Sequence, residues 1–407
     1  MSRIFEAIQR LDSWIRRNGW SGWDPYDIKE NRFISNMEKL PPFLVNKIIR
    51  KFLFTTIELC PKSARRIFDV RPRVNAKGMG LFLAGYAKLY QVTTQDEYLK
   101  KAHECAEWLI QNRCSSYSGW SWGYPFDWQS VRFIPKGIPS SVVSATVGDG
   151  FFILYQATSD PKYLDICRKI CGFFLENLNI TYTKNSAVCY SYTPLDNYQV
   201  HNANLFVGEF LTRIGREIGD DQLVEQGEKC GNFALKEQQP GGYLPYWGLS
   251  QTKTHSGGRI RTDHYHSGFE IRMLYSLWKN TGHKDFQRGY QKYYQWYLKN
   301  MLIMDHIPKR TPHNLYPINI HSCAEALLCQ STLLPDHPER FTQIQCTMDW
   351  IIEKMEYIPG QYIYLIRKLP FGGEWKTKIP MIRWGQAWMF RALCELEHCL
   401  SSDSRGA

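Results

Sequence analysis

Five segments of the chain share one plan at a nearly constant interval, and this repetition limits the possible folds more than any other feature. In each, an aromatic residue or Leu follows a short turn and opens an amphipathic helix. The segments are EYLKKAHECAEWLI at Tyr98, KYLDICRKICGFFLENL at Tyr163, DQLVEQGEKCGNFAL at Leu223, DFQRGYQKYYQWYL at Phe286 and RFTQIQCTMDWIIEKM at Phe341. Successive anchors lie 65, 60, 63 and 55 residues apart, close to the length of a helical hairpin with one long loop. Such a period marks stacked two-helix units, none of which can bury its apolar face without a neighbour.

A second set of helices interleaves with the first: GMGLFLAGYAKLYQVT, SATVGDGFFILYQAT, NANLFVGEFLTRIG, HSGFEIRMLYSLWKNTG, HSCAEALLCQSTLL and RWGQAWMFRALCEL. These are more apolar and carry small residues in their first turns, as expected of helices buried on most sides and packed closely. With PFLVNKIIRKFLFTTIEL supplying an outer helix ahead of the first of them, the count is six inner and six outer helices. The expected fold is all-α, an (α/α)6 toroid over residues 45–400. Residues 1–44 form a helical extension packed on the outside, and residues 401–407 a disordered tail.

Composition narrows the setting. Charged residues are 22% of the chain, and no uninterrupted apolar run has the length of a membrane span. MSRIFEAIQRLDSWIRR lacks the continuous apolar core of a signal peptide and reads as an amphipathic helix. A soluble, cytoplasmic protein without an integral membrane segment is expected. The 12 cysteines are scattered through apolar helical patterns with no C-x-x-C pair, so they read as reduced, small hydrophobes. The net charge of +11 is partly local, since KSARRIFDVRPR holds Lys62, Arg65, Arg66, Arg71 and Arg73. That balance favours an anionic partner or is a solvated basic face. Positional nucleic-acid motifs are missing, so no nucleic-acid partner is expected.

The connections are asymmetric. Inner-to-outer turns such as QATSDPKY are short, whereas outer-to-inner loops are long and rich in Trp, Tyr, Gly and Pro. Long structured loops are where function usually sits. In a toroid they share one end with the N-termini of the inner helices, whose unpaired N–H groups favour anions. Polar residues stand at every such start: Asn75 and Lys77; Ser140 and Ser141; His201, Asn202 and Asn204; Asp263, His264, Tyr265 and His266; Asn319 and His321; Arg383 and Trp384. Helix capping accounts for Asn, Ser and Asp but not for the histidines or Arg383. The loop GWSWGYPFDWQS adds Trp122, Tyr124 and Trp128 around Asp127, and QQPGGYLPYWG adds Tyr246 and Trp247. Such rings either stack on sugar faces or merely cover the mouth.

The six-hairpin plan, the GWSWGYPFDW loop, the NAN helix start and the run from QQPGGYLPYW to DHYHSGFE resemble proteins of bacterial and archaeal polysaccharide-biosynthesis clusters. Those are similar in fold to six-hairpin glycosidases, sugar 2-epimerases, unsaturated glucuronyl hydrolases and uronate lyases or C5-epimerases. The resemblance covers roughly residues 45–398 as architecture. It implies a carbohydrate-active enzyme of surface-polysaccharide assembly, with an oligosaccharide or polysaccharide substrate and polysaccharide-assembly proteins as partners. It transfers no catalytic residue, because fold does not fix chemistry.

Three chemistries therefore stay open. Epimerisation or elimination at a uronate needs a base, an acid and a group that stabilises an enolate-like intermediate. His201, His264 and His266 would move protons, with Tyr265 as acid. Asn75, Lys77, Asn202, Asn204, His321, Arg383 and Trp384 would contact an anionic sugar. Hydrolysis needs two carboxyl groups, for which Asp127 and Asp263 are the candidates, with Asp149 behind them. A metal site could gather Asp263, His264 and His266 with His201 or His321, but His-x-His spacing arises readily by chance and no Cys completes an Asp-Cys-His set. No metal or cofactor is expected. A glycan-binding toroid without chemistry is the non-enzymatic alternative, and Asp263 as a plain helix cap is the simplest reading of its position.

Overall fold

A computed structural model describes residues 2–39, 43–129 and 131–403. Its α-helices are α1 (Arg3–Asn18), α2 (Arg32–Lys39), α3 (Leu44–Leu59), α4 (Pro61–Ile67), α5 (Ala76–Thr93), α6 (Asp96–Gln111), α7 (Ser141–Thr158), α8 (Pro161–Asn177), α9 (His201–Ile218), α10 (Asp221–Glu237), α11 (Leu249–Ser256), α12 (His264–Thr281), α13 (Lys284–Met301), α14 (Ile320–Leu333), α15 (Phe341–Met355) and α16 (Trp388–Asp403). Six of them form a closed inner ring: α5 packs on α7, α7 on α9, α9 on α12, α12 on α14, α14 on α16, and α16 back on α5. The fold is the (α/α)6 toroid.

The inner helices are buried almost end to end. Close approach requires small residues where they cross. A Cβ on Gly80 of α5 would lie 2.8 Å from Val147 Cα of α7, and one on Gly150 would lie 2.7 Å from the Gly80 carbonyl oxygen. The inner helices α5, α7, α9 and α12 each end on a left-handed residue, Thr94, Ser159, Gly219 and Gly282. Asp160 and Asp220 then cap α8 and α10 by accepting N–H bonds within two or three residues. These stop and start signals explain the short turns at one end of the ring.

The sixth outer position departs from the sequence expectation. It is held by α1 rather than by α3. Asp12 of α1 accepts a hydrogen bond from Tyr86 Oη at 2.6 Å, Arg16 pairs with Glu97 of α6 at 3.0 Å, and Arg3 pairs with Asp349 of α15 at 2.8 Å. The reason lies in the apolar faces. α1 buries Ile4, Ala7, Ile8, Leu11, Trp14 and Ile15 in the main core. α3 instead packs Leu53, Phe54 and Ile57 into a satellite cluster with Ile28, Ile34 and Ala64.

The first segment therefore closes the ring from the opposite end of the chain. Ser401–Asp403, expected in a disordered tail, complete α16, while 404–407 lie outside the described residues. The cysteines are free thiols and eight of them are buried, in keeping with a small-hydrophobe role. Among the described residues no helix is long and apolar enough to cross a membrane.

Candidate active-site funnel

The long loops and the N-termini of the inner helices enclose a funnel of about 1020 Å³ at one end of the barrel. Its innermost ring follows a positional rule. The second residue of each inner helix, counting the wide turn Ile382–Ala387 as the start of the sixth, lines the cavity: Lys77, Val142, Asn202, Tyr265, His321 and Arg383. The first residues, Ala76, Ser141, His201, His264, Ile320 and Ile382, are buried outside the lining. A helix turns about 100° per residue, so residues two apart face nearly opposite ways. His264 and His266 therefore cannot share the funnel.

Of the residues singled out from the sequence, Lys77, Tyr124, Trp128, Asn202, Tyr246, Trp247, Asp263, Tyr265, His266, Asn319, His321, Arg383 and Trp384 line the cavity. The others are turned away from it and make internal contacts. His201 places Nδ1 2.8 Å from the Pro245 carbonyl and Nε2 2.9 Å from the Glu237 carboxylate, tying the start of α9 to the end of α10. His264 meets the Tyr297 hydroxyl at 2.6 Å, and burial pushes its pKa down to about 4. Asn204 donates to the carbonyls of Val188 and Cys230 and accepts from the Tyr190 N–H. Trp122 is wholly buried and donates its indole N–H to Leu109 O at 2.9 Å. Asn75 caps α5 and reaches Asp24 at 3.4 Å. Asp127 accepts the Lys136 N–H at 2.7 Å, bracing the hairpin that pairs Trp128–Gln129 with Phe133–Ile134. Asp149 is held by Arg213 at 2.8 Å and Arg391 at 3.5 Å, a structural ion cluster.

Asp263 does two things at once. One carboxylate oxygen accepts the His266 N–H at 3.1 Å and caps α12, while the other lies 2.7 Å from His266 Nδ1. Burial pushes this carboxyl up, but the charge and hydrogen bonds of His266 outweigh burial and hold it below its ordinary range. The contact fixes the imidazole so that Nε2, which has no partner among the described residues, is the nitrogen left for a ligand. Tyr265 lies between two imidazoles, its ring 4.2 Å from His266 and stacked at 4.5 Å on His321. Both ring nitrogens of His321 are buried without a protein partner. Burial, then the charges of Lys77 and Arg383, drive its pKa well below the ordinary value, so it stays neutral.

Lys77 forms the floor. Its ammonium nitrogen sits 5.4 Å from the Trp388 ring, 5.7 Å from Phe269 and 5.8 Å from Phe206. Burial first, and then Arg383, lower its pKa well below that of a free lysine. Arg383 is already neutralised: Nε and Nη2 grip Asp24 at 2.5 and 2.8 Å with both side chains buried. The guanidinium lies over Tyr26, Tyr124 and Trp384 at 5.0–5.5 Å.

Several lining residues were not singled out from the sequence. Tyr26, Tyr192 and Tyr364 join Tyr124, Tyr246 and Tyr265 around the wall, and burial raises all six hydroxyl pKa values, so they remain protonated donors. Tyr26 stacks on Trp128 at 5.4 Å, and Tyr243 on Trp296 at 4.7 Å. Arg261 and Arg310 stand exposed on the rim. Tyr26 and Asp24 arrive from WDPYDIKE, in the segment expected on the outside, where only the aromatic-acid pattern hinted at a role. Arg310 lies in a polar loop with no distinguishing signal.

No family model matches the sequence, and no curated protein matches it either. Solved structures do match in fold. The cellobiose 2-epimerase of Bacillus thermoamylovorans B4167 superposes with a TM-score of 0.60 at 12% identity, covering 82% of this chain and 90% of the epimerase. An unsaturated glucuronyl hydrolase specific for heparin gives 0.59 at 13%, covering 99% of this chain and 97% of the hydrolase. A family 76 glycoside hydrolase from a bovine Bacteroides thetaiotaomicron strain gives 0.62 at 10%, covering 99% of this chain and 78% of the other. At these identities the likeness is one of architecture, and the chain takes its place among six-hairpin (α/α)6 toroids.

Proposed function

We propose that the chain is a carbohydrate-active enzyme that moves a proton on an anionic, uronate-type sugar of a surface polysaccharide or its precursor, as an epimerase or a lyase. The observation that carries this reading is the Asp263–His266 pair facing a funnel in which no carboxylate pair is free. Glycoside hydrolysis needs two carboxyl groups flanking the bond. Of the two carboxylates that line the cavity among the described residues, Asp263 is committed to His266 and to the helix cap, and Glu58 pairs with Arg367. Asp127, the expected partner of Asp263, is not in the lining.

In this reading His266 Nε2 takes the proton beside the sugar carboxylate, its Nδ1 held by Asp263. Tyr265, whose hydroxyl keeps its proton, stands next to it as donor, and the neutral His321 offers a second site for proton exchange. Lys77, Arg261 and Arg310 attract the carboxylate. Return of the proton to the opposite face gives the epimer, and loss of the C4 substituent gives an unsaturated sugar. Trp128, Tyr124 and Tyr246 supply rings for the apolar sugar face.

The test is incubation with uronate-containing and neutral glycans in deuterated water. Deuterium at C5 without cleavage identifies an epimerase, and absorbance of an unsaturated uronate identifies a lyase. New reducing ends alone would overturn the proton-transfer reading. His266→Ala should cut turnover by ~10²–10⁴ with little loss of affinity. Tight glycan binding with no turnover in the native chain would identify a binding toroid instead.

A further inference from the structure

We propose that α3 and the β-hairpin beside it form a docking surface for an anionic lipid bilayer, next to the funnel mouth. The sequence LVNKIIRKFLFTTIEL is apolar on two sides of its helix. One side, Leu53, Phe54 and Ile57, faces Ile28, Ile34 and Ala64. Among the described residues nothing covers the other. Val45, Ile48, Ile49 and Phe52 follow the i, i+3, i+4, i+7 spacing of a single stripe, and their exposures are 64%, 60%, 45% and 75%. Phe43, just ahead of the helix, is equally open.

A second apolar element adjoins it. The strands Leu365–Lys368 and Glu374–Thr377 pair into a hairpin whose tip carries the fully exposed Phe371, with Leu369 and Trp375 also open to solvent. The hairpin is fastened to the end of α3 by Arg367, which pairs with Glu58, and by Thr377 Oγ1, which donates to the Glu58 carbonyl at 3.1 Å. Glu58 and Leu365 both line the funnel. The apolar surface therefore stands beside the opening rather than behind the barrel.

Charge selects the occupant. Lys47 and Lys51 flank the stripe on α3, Lys62 and Arg66 follow it, Lys368 and Lys376 stand on the hairpin and Lys378 just past it, all exposed. The acids of these segments are already engaged: Glu58 with Arg367, Asp69 with Arg71 at 3.5 Å, and Glu374 with Lys354 at 2.8 Å. Large apolar side chains ringed by lysine and arginine match a bilayer interface, which takes the apolar face into the acyl boundary and the cations among anionic headgroups. A second copy of the chain would bring two like-charged rims together. Docked in this way, the funnel would open beside the headgroups, within reach of a sugar carried on a lipid.

The experiment is co-sedimentation of the full chain with phosphatidylcholine vesicles and with vesicles that also contain phosphatidylglycerol. Binding is expected to the anionic vesicles, to weaken with salt, and to fall by roughly fivefold for each of Lys47→Gln and Lys51→Gln. Ile48→Ser and Phe52→Ser remove exposed side chains and should leave the thermal midpoint unchanged while lowering vesicle partition by about tenfold each. Failure to bind either vesicle, binding without preference for anionic lipid, or equal binding by the serine variants would overturn the proposal. So would a concentration-dependent dimer, seen by sedimentation velocity, that Phe52→Ser dissolves and lipid does not compete with. None of these readouts depends on glycan turnover.

Discussion

Replacing Asp24 by Asn should destabilise the whole barrel, because the carboxylate is the counter-ion of a guanidinium that has no other among the described residues. Arg383 holds Asp24 through two bonds of 2.5 and 2.8 Å, and the two side chains are 2% and 3% exposed. Asp24 also accepts the Tyr26 N–H at 3.0 Å and the Asn75 amide at 3.4 Å, so it joins the segment after α1 to the starts of α5 and α16. Removing one partner of a buried pair leaves a buried charge and costs about 3–5 kcal/mol. Unfolding entropy of roughly 2.1 cal/mol/K per residue gives about 0.85 kcal/mol/K for a chain of this length. The midpoint should therefore fall by about 4–6 °C by calorimetry. The double variant Asp24→Leu, Arg383→Met removes both charges and should recover most of that loss. If Asp24→Asn melts within a degree of the native chain, the reasoning fails: Arg383 is then compensated from the funnel and is available as an anion contact.

Substitution of Asp263 separates its two roles. Asp263→Ser keeps a cap acceptor but cannot orient His266, so it should retain stability and lose turnover by ~10²–10⁴, whereas Asp263→Ala should also lose about 1 kcal/mol in urea unfolding; activity that survives in the Ser variant would return Asp263 to a plain cap. Acid stability reports on His264, whose folded pKa of about 4 lies below its ordinary 6.5. The unfolded chain takes up this proton first, so stability is lost as pH falls from about 6.5 to about 4, by roughly 3 kcal/mol at the limit. Urea titrations of the native chain and His264→Phe across that window should show the native curve falling more steeply, and parallel curves would refute the shift.

The helical period and the six-fold repeat were legible because they are local: each amphipathic segment carries its own caps and its own apolar stripe. The identity of the sixth outer helix was not. Closing a ring joins the two ends of the chain, and α1 reaches α15 and α16 across more than 340 residues, as in the Arg3–Asp349 pair. Nearness in sequence favoured α3, which follows the usual order yet turns only half of its apolar surface inward. The Asp24–Arg383 clamp was hidden for the same reason, with partners 359 residues apart. An arginine at a helix start looks like a free cation until its acid is found.

The site was legible to the level of the helix starts but not to the level of direction. Asp263-His264-Tyr265-His266 reads as one cluster in sequence, yet 200° separate His264 from His266 around the helix. Counting from the cap settles each case. The first helical residue lies outside the funnel and the second lines it in all six inner helices, which excludes His201 and His264 while keeping Asn202, Tyr265 and His321. The rule has a physical origin in the common tilt and phase of a closed ring, where every inner helix meets the axis in the same rotation. It explains why Lys77 and Val142, unlike in chemistry, occupy equivalent places. The ring thus carries an amine at α5, a phenol and an imidazole at α12 and a further imidazole at α14, and is apolar at α7, where Trp128, Tyr124 and Tyr192 complete the wall.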